Sequence, residues 1–234
     1  DELVPRSQFR ETVEKRAIEF ASRRRENYQP KGISLTPLER TVKRDSIRYR
    51  HLEISLNRER RSVDFTIQGP SEPAPKNLEE VHLQGDVFWP LAMARELDDA
   101  VLHLSFNEPD LGTWIFHTRG SAGQVISHER LLEKTSSDWL VRETTLNLKR
   151  VLKRIDLTSR SLITLVEPGS CFAGSLLELL FAADRSYMLD GTFEDSKDPA
   201  PQLIPSAINF GPLPMCNGLT RLQTRFLNQP EGVN

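Results

Sequence analysis

Hydrophobic positions along this chain switch repeatedly between a period of two and a helical period. Leu52, Ile54 and Leu56 alternate with polar residues, Asn57–Arg61 turns, and Val63, Phe65 and Ile67 alternate back, which reads as an amphipathic hairpin. Upstream, Phe9, Val13, Ala17 and Phe20 recur at helical spacing after Ser7, a residue type suited to an N-cap. Residues 27–46 carry Pro30, Gly32 and Pro37 and read as a connector. Downstream, Leu91, Ala94, Leu97 and Val101 predict a helix over Trp89–Val101 with Pro90 in its first turn. Thr113–Thr118 predicts a buried strand, and Leu148, Val151, Leu152 and Ile155 predict a long helix over Asp138–Ile155. A further strand is expected at Gln202–Asn209 and a helix starting at Gly218. Strands alternating with helices define an α/β class.

The densest pattern lies in Arg160–Leu189. The apolar run Leu162–Val166 stops at Glu167-Pro168-Gly169, an apolar helix follows from Ser175, and a strand-like run resumes at Arg185. A small-residue turn entering a helix presents unpaired backbone N–H groups. Two readings of Gly174 follow: an oxyanion-binding backbone amide, or a tight strand-to-helix packing turn. Glu178, alone among apolar neighbours, also reads two ways. It is a general acid or base with a raised pKa, or a structural partner of Arg185 or of an arginine elsewhere.

Composition narrows the class. Charged residues at 27% and hydrophobic ones at 38% mark a globular chain rather than a disordered one, and no apolar run approaches the ~20 residues of a membrane span. Residues 1–62 hold 16 Lys/Arg against 10 Asp/Glu, and the rest 15 against 23. The basic end is interleaved with acids and poor in aromatics, so it reads as a solvated helical face, or one that meets an acidic partner surface, rather than a nucleic-acid surface. Cys171 and Cys216 have no metal or redox spacing, and His51, His82, His103, His117 and His128 include no H-E-x-x-H, so no metal is expected. Glycine-rich dinucleotide and phosphate loops and the G-x-S-x-G elbow are absent from the sequence.

The turn and helix ending at Ala183-Asp184-Arg185, followed by Ile208-Asn209-Phe210-Gly211-Pro212-Leu213-Pro214 and Gly218-Leu219-Thr220-Arg221-Leu222, resemble two ordered motifs of the crotonase (enoyl-CoA hydratase/isomerase) superfamily. Trp89–Ala100, Gly112-Thr113-Trp114, Trp139–Thr144 and Ser159–Gly174 resemble, more narrowly, the two-half, ring-opening aryl-CoA lyases of that superfamily. The resemblance implies a ClpP/crotonase ββα spiral, incomplete at the C-terminus. It implies that residues 1–36 are the helical tail of a preceding crotonase-like half, 37–46 a connector and 47–234 a second, truncated crotonase-like domain. The implied activity is opening of the ring of 2,3-dihydroxy-2,3-dihydrobenzoyl-CoA with release of formate, in a cytoplasmic enzyme. CoA would enter only as part of the substrate thioester, with no permanently bound cofactor. Implied partners are the first half of the same enzyme and further copies in a homo-oligomer, without nucleic acid or membrane.

Within the resemblance, Gly174 falls at the oxyanion glycine. Alignment on Asp184 places Glu178, and alignment on Gly169 places Leu177, at the first hydratase glutamate. The second glutamate position is Ala207, preceded by Ser206. Alanine cannot transfer a proton, so two-carboxylate chemistry is not expected here. The alternatives are a non-catalytic scaffold or oligomerisation half, and an acyl-CoA hydratase, isomerase or hydrolase using Glu178 alone. The isolated chain is expected to be inactive.

Overall fold

The computed structural model describes residues 1–23, 31–194 and 198–233. It divides into two compact units, Asp1–Gly32 and Ile33–Asn234. The first holds α1 (Phe9–Ser22), whose N-cap is Gln8 rather than Ser7 and makes no side-chain cap bond. Ser7 sits in a turn closed by the Gln8 amide on the Pro5 carbonyl, 2.9 Å, so the helix begins beyond it. No residue of α1 is buried, and Phe9, Val13, Ile18 and Phe20 are exposed. The predicted apolar stripe is thus not buried within its own unit, and Arg16–Glu19 and Arg23–Glu19 ion pairs run along the same helix.

The second unit is built on a seven-stranded sheet in sequential order. Strands β1 (Thr41–Lys43), β2 (Ser46–Arg48), β3 (Leu52–Asn57) and β4 (Ser62–Gln68) form an antiparallel meander. Residues 37–46, expected as a connector, thus include β1 and the first residue of β2. The hairpin register matches the alternation, with Ile54 opposite Phe65 and Leu56 opposite Val63.

From β4 onward the pairing is parallel, through β5 (Thr113–Arg119), β6 (Ser161–Val166) and β7 (Arg185–Met188). Parallel crossovers are right-handed almost without exception, so successive ones advancing in one direction lay their helices on the same face. The crossovers carry α2 (Leu78–Gln84) and α3 (Trp89–Asn107), then α4 (Ala122–Lys134) and α5 (Trp139–Asp156), then α6 (Gly174–Ala182). Burial follows this one-sidedness. Val63, Phe65, Trp114, Phe116, Leu162 and Val166 are buried, whereas Asp64, Ile115, His117, Ile163 and Leu165, one residue out of phase, are half-exposed. Phe65 packs its ring 5.2 Å from Trp114 and 4.8 Å from Phe116, at the centre of a core completed by Leu97, Val101, Val151, Ile155 and Leu176.

Two helices lie outside the sequence expectation. In α2 the Asn77 side chain caps the Glu80 amide at 3.0 Å, and in α4 Ser121 caps the Gln124 amide. The strand expected at Gln202–Asn209 does not form. Ile204 makes a single bridge to Ala173, and Ala207–Phe210 is a 3-10 turn with a reciprocal Ser206/Asn209 capping box. Pro201 and Pro205 carry no N–H to donate to a ladder. The helix expected from Gly218 begins at Arg221, as α7 (Arg221–Arg225) capped by Thr220. Among the described residues no helix is long and apolar enough to cross a membrane.

A buried group, Glu96, and a half-buried one, His51, give this unit opposing pH dependence. Glu96 of α3 accepts the His51 backbone N–H at 2.7 Å, and burial pushes its carboxyl up to about 7 from an ordinary 4.5. Its contribution to stability is complete below 4.5 and is lost as pH rises through 7. Burial, helped by the Arg50 charge, lowers His51 from 6.5 to about 4. Its contribution is complete above 6.5 and is lost as pH falls through 4. The slopes oppose each other between pH 4.5 and 6.5. Glu96→Gln should therefore unmask the histidine, so that the variant melts progressively lower than wild type as pH falls from 6.5 to 4.5. Parallel melting curves across that window would refute it.

Candidate functional site at the α6 N-terminus

Strand β6 ends in a turn in which the Ser170 amide donates to the Glu167 carbonyl and the Ser170 hydroxyl accepts from the Glu167 amide, 2.9 and 3.0 Å. Gly169 there has φ +80°, a conformation that favours glycine. The chain then passes buried Cys171, whose amide donates to Thr118 Oγ1 at 2.9 Å, and enters α6 at Gly174. Gly174 has φ +45°, and a Cβ on it would overlap the carboxylate of Glu129. Steric room for that carboxylate is one reason that glycine stands here.

The amides at the helix start are all engaged. Gly174 N–H donates to the Ile204 carbonyl at 2.9 Å. Ser175 N–H donates to Glu129 Oε1, and the Ser206 hydroxyl donates to Glu129 Oε2 at 2.8 Å. Leu176 and Leu177 N–H donate to the Ala173 carbonyl. Glu129 reaches this position from α4 and is 4% exposed. Burial raises its pKa, the bonds from Ser175 and Ser206 oppose the rise, and the charge of Glu178 adds to it.

Glu178 sits one turn further along α6 and is 1% exposed. It accepts from Asn209 Nδ2 on one oxygen and from Arg221 Nη1 on the other, both at 2.7 Å. Asn209 Nδ2 also donates to the Gly174 carbonyl at 2.9 Å, so one amide group ties the two predicted site residues together. The arginine partner is Arg221, not Arg185, whose guanidinium donates to the Asp184 carbonyl at the surface. Arg221 grips Asp156 of α5 with two bonds, Nε to Oδ1 at 2.8 Å and Nη2 to Oδ2 at 2.7 Å. It also donates to the Leu213 carbonyl at 3.0 Å. Burial raises the pKa of both Glu178 and Asp156 against the pull of Arg221.

Ala207 lines a cavity of about 420 Å³ between α4 and the 204–212 segment, with Ile126, Leu132, Ile204, Pro212 and Ser206. Glu129 also reaches its wall; Glu178 does not. The cavity thus holds alanine where the resemblance has an acid, and a different acid comes from α4. Sequence reasoning missed Glu129 because the helix bearing it went unrecognised. Its available signal was the Ser121 cap followed by Val125, Leu131 and Leu132 at helical spacing.

These features define an α/β domain in which the Gly169–Asp184 and Ile208–Leu222 segments meet at the start of α6 through Asn209, Glu178 and Arg221. Over its whole length the chain is 42% identical, across 233 residues, to a benzoyl-CoA-dihydrodiol lyase of Aromatoleum evansii. It spans 41% of the length of that relative. No family model matches the chain. Solved structures with partial similarity include an enoyl-CoA hydratase from Geobacillus kaustophilus (15% identity, TM-score 0.39, 65% of this chain and 48% of that one). Another, from Shewanella pealeana, gives 18% identity and a TM-score of 0.40 over 58% of this chain and 45% of that one.

The burial of Arg221 sets a stability prediction. Removing one member of a buried ionic network strands its partners, at a cost of about 3–5 kcal/mol, whereas replacing the network as a unit by apolar groups is far less costly. Arg221→Met should lower unfolding free energy in urea by that amount. Adding Asp156→Leu and Glu178→Met should recover most of it. A single variant within about 1 kcal/mol of wild type would contradict the assigned network.

Proposed function

We propose that this chain serves as one crotonase-like part of a ring-opening lyase acting on 2,3-dihydroxy-2,3-dihydrobenzoyl-CoA with release of formate. The observation that carries this reading is the 42% identity to a benzoyl-CoA-dihydrodiol lyase over the entire chain. Within that enzyme its part is to supply fold and contact surface rather than proton transfer. Both oxygens of Glu178 are held by Asn209 and Arg221, both oxygens of Glu129 are held by Ser175 and Ser206, and Ala207 has no proton to give. A proton-transfer group must instead be free to reach the reacting atom.

The surface supports a contact role. The helix-free face of the sheet carries Ile115, Ile163 and Leu165 half-exposed, and edge strand β7 is exposed throughout. Such an edge and face are suited to burial by another crotonase-like half or another copy. On this reading CoA arrives as part of the thioester, no resident cofactor is called for, and the enzyme works in the cytoplasm.

The test measures formate. Incubated with the dihydrodiol thioester, the folded chain should release no formate above background, while the Aromatoleum evansii lyase run alongside does. Formate from this chain within tenfold of that control would overturn the non-catalytic role. Removal of the chain's counterpart from the intact control lyase without loss of formate release would overturn its membership of the working enzyme.

A further inference from the structure

We propose that Glu129 is an internal ligand, its carboxyl group filling the position over the α6 N-terminus that a thioester oxygen would have to occupy. The inference rests on the lyase reading for the identity of the displaced group, but its geometry is independent of it. Backbone amides at a helix start form a natural seat for a carboxylate or an oxyanion. Here the seat is taken: Ser175 N–H donates to Glu129 Oε1, and the adjacent Gly174 N–H is spent on Ile204. The carboxyl group also lies so close over Gly174 that even a methyl there would overlap it. A second acyl oxygen has no room in the same place.

The adjoining cavity points the same way. Its wall includes Glu129, Ser206 and Ala207, while neither Gly174 nor Ser175 reaches it. Glu129 therefore stands between the cavity and the amides. Ser206 holds it from the far side, 2.8 Å from Oε2, and α4 supplies it from a helix whose inner face also buries Val125, His128, Leu131 and Leu132. A ligand entering the ~420 Å³ space from the side of Arg130, Ser136 and Thr145 meets the Glu129 carboxyl group and not the amides of Gly174 and Ser175. The chain has closed its own oxyanion seat, and any carbonyl polarisation in the complete enzyme takes place elsewhere.

Truncation of glutamate to alanine removes the equivalent of one acetate, which makes acetate the probe. Glu129→Ala should melt below wild type and regain at least about 3 °C with saturating acetate, beyond a chloride control at equal ionic strength. Wild type and Glu129→Gln, in which the seat remains filled, should show no such specific gain. A Glu129→Ala chain that folds only in acetate supports the proposal equally well. One that melts alike in acetate and chloride, or stays unfolded in both, overturns it, as does an equal acetate response in wild type or Glu129→Gln. Formate release by the wild-type chain would remove the proposed function and leave the acetate result intact. An unresponsive Glu129→Ala would remove this inference and leave the lyase reading intact.

Discussion

The buried guanidinium of Arg221 is the constraint around which the second half of this unit is arranged. It is 1% exposed, so it must find its partners within the protein, and it finds them on two other helices and in a loop carbonyl. The fork to Asp156 ties α7 to α5, the bond to Glu178 ties it to α6, and the bond to Leu213 anchors the incoming loop. A planar group with five fixed donors can make all four of these bonds, including the parallel fork to Asp156, whereas lysine has only three donors on one atom. Asn209 extends the network to the Gly174 carbonyl. The N-terminus of α6 and the short terminal helix are thereby held as one assembly although the sheet touches only part of it.

A second constraint is topological. Strand order that advances one place at each parallel crossover forces the helices onto one side, and the strands record it in their side chains. The covered face is aromatic and aliphatic. The other mixes Ile115 and Leu165 with Asp64 and His117, the last 3.2 Å from Asp64 through Nε2. A face of this composition neither joins a dry core nor stays wholly polar, which fits a surface meant to be only partly hydrated.

The legibility of the sequence followed the strength of its periodicities. The β3–β4 hairpin, α3, α5, β5, β6 and α6 were readable because apolar residues mark the inward positions of each. Helix α4 was not, because two of its inward positions are His128 and Glu129, and a polar residue at a buried site erases the stripe. The residue most closely engaged with the α6 N-terminus was hidden by the same feature. Glu178 and Gly174 were visible from their apolar setting and turn spacing. Their partners were not, since Asn209 and Arg221 lie 31 and 43 residues beyond Glu178, and nothing local announces a contact at that separation. The misread segment 202–209 shows the converse error: apolar residues suggested a strand, but prolines and a capping box take the backbone elsewhere.

Asp156 and Glu178 share the guanidinium of Arg221, Glu129 is held by Ser175 and Ser206 at the start of α6, and burial lifts the pKa of each of the three. Solvent holds their counterparts in the unfolded chain ionised over a range where the native interior favours the acid form. Folding is consequently a proton-consuming reaction at these positions. Refolded in weak buffer within that range, the chain would take up protons at these positions and leave its solution slightly more alkaline.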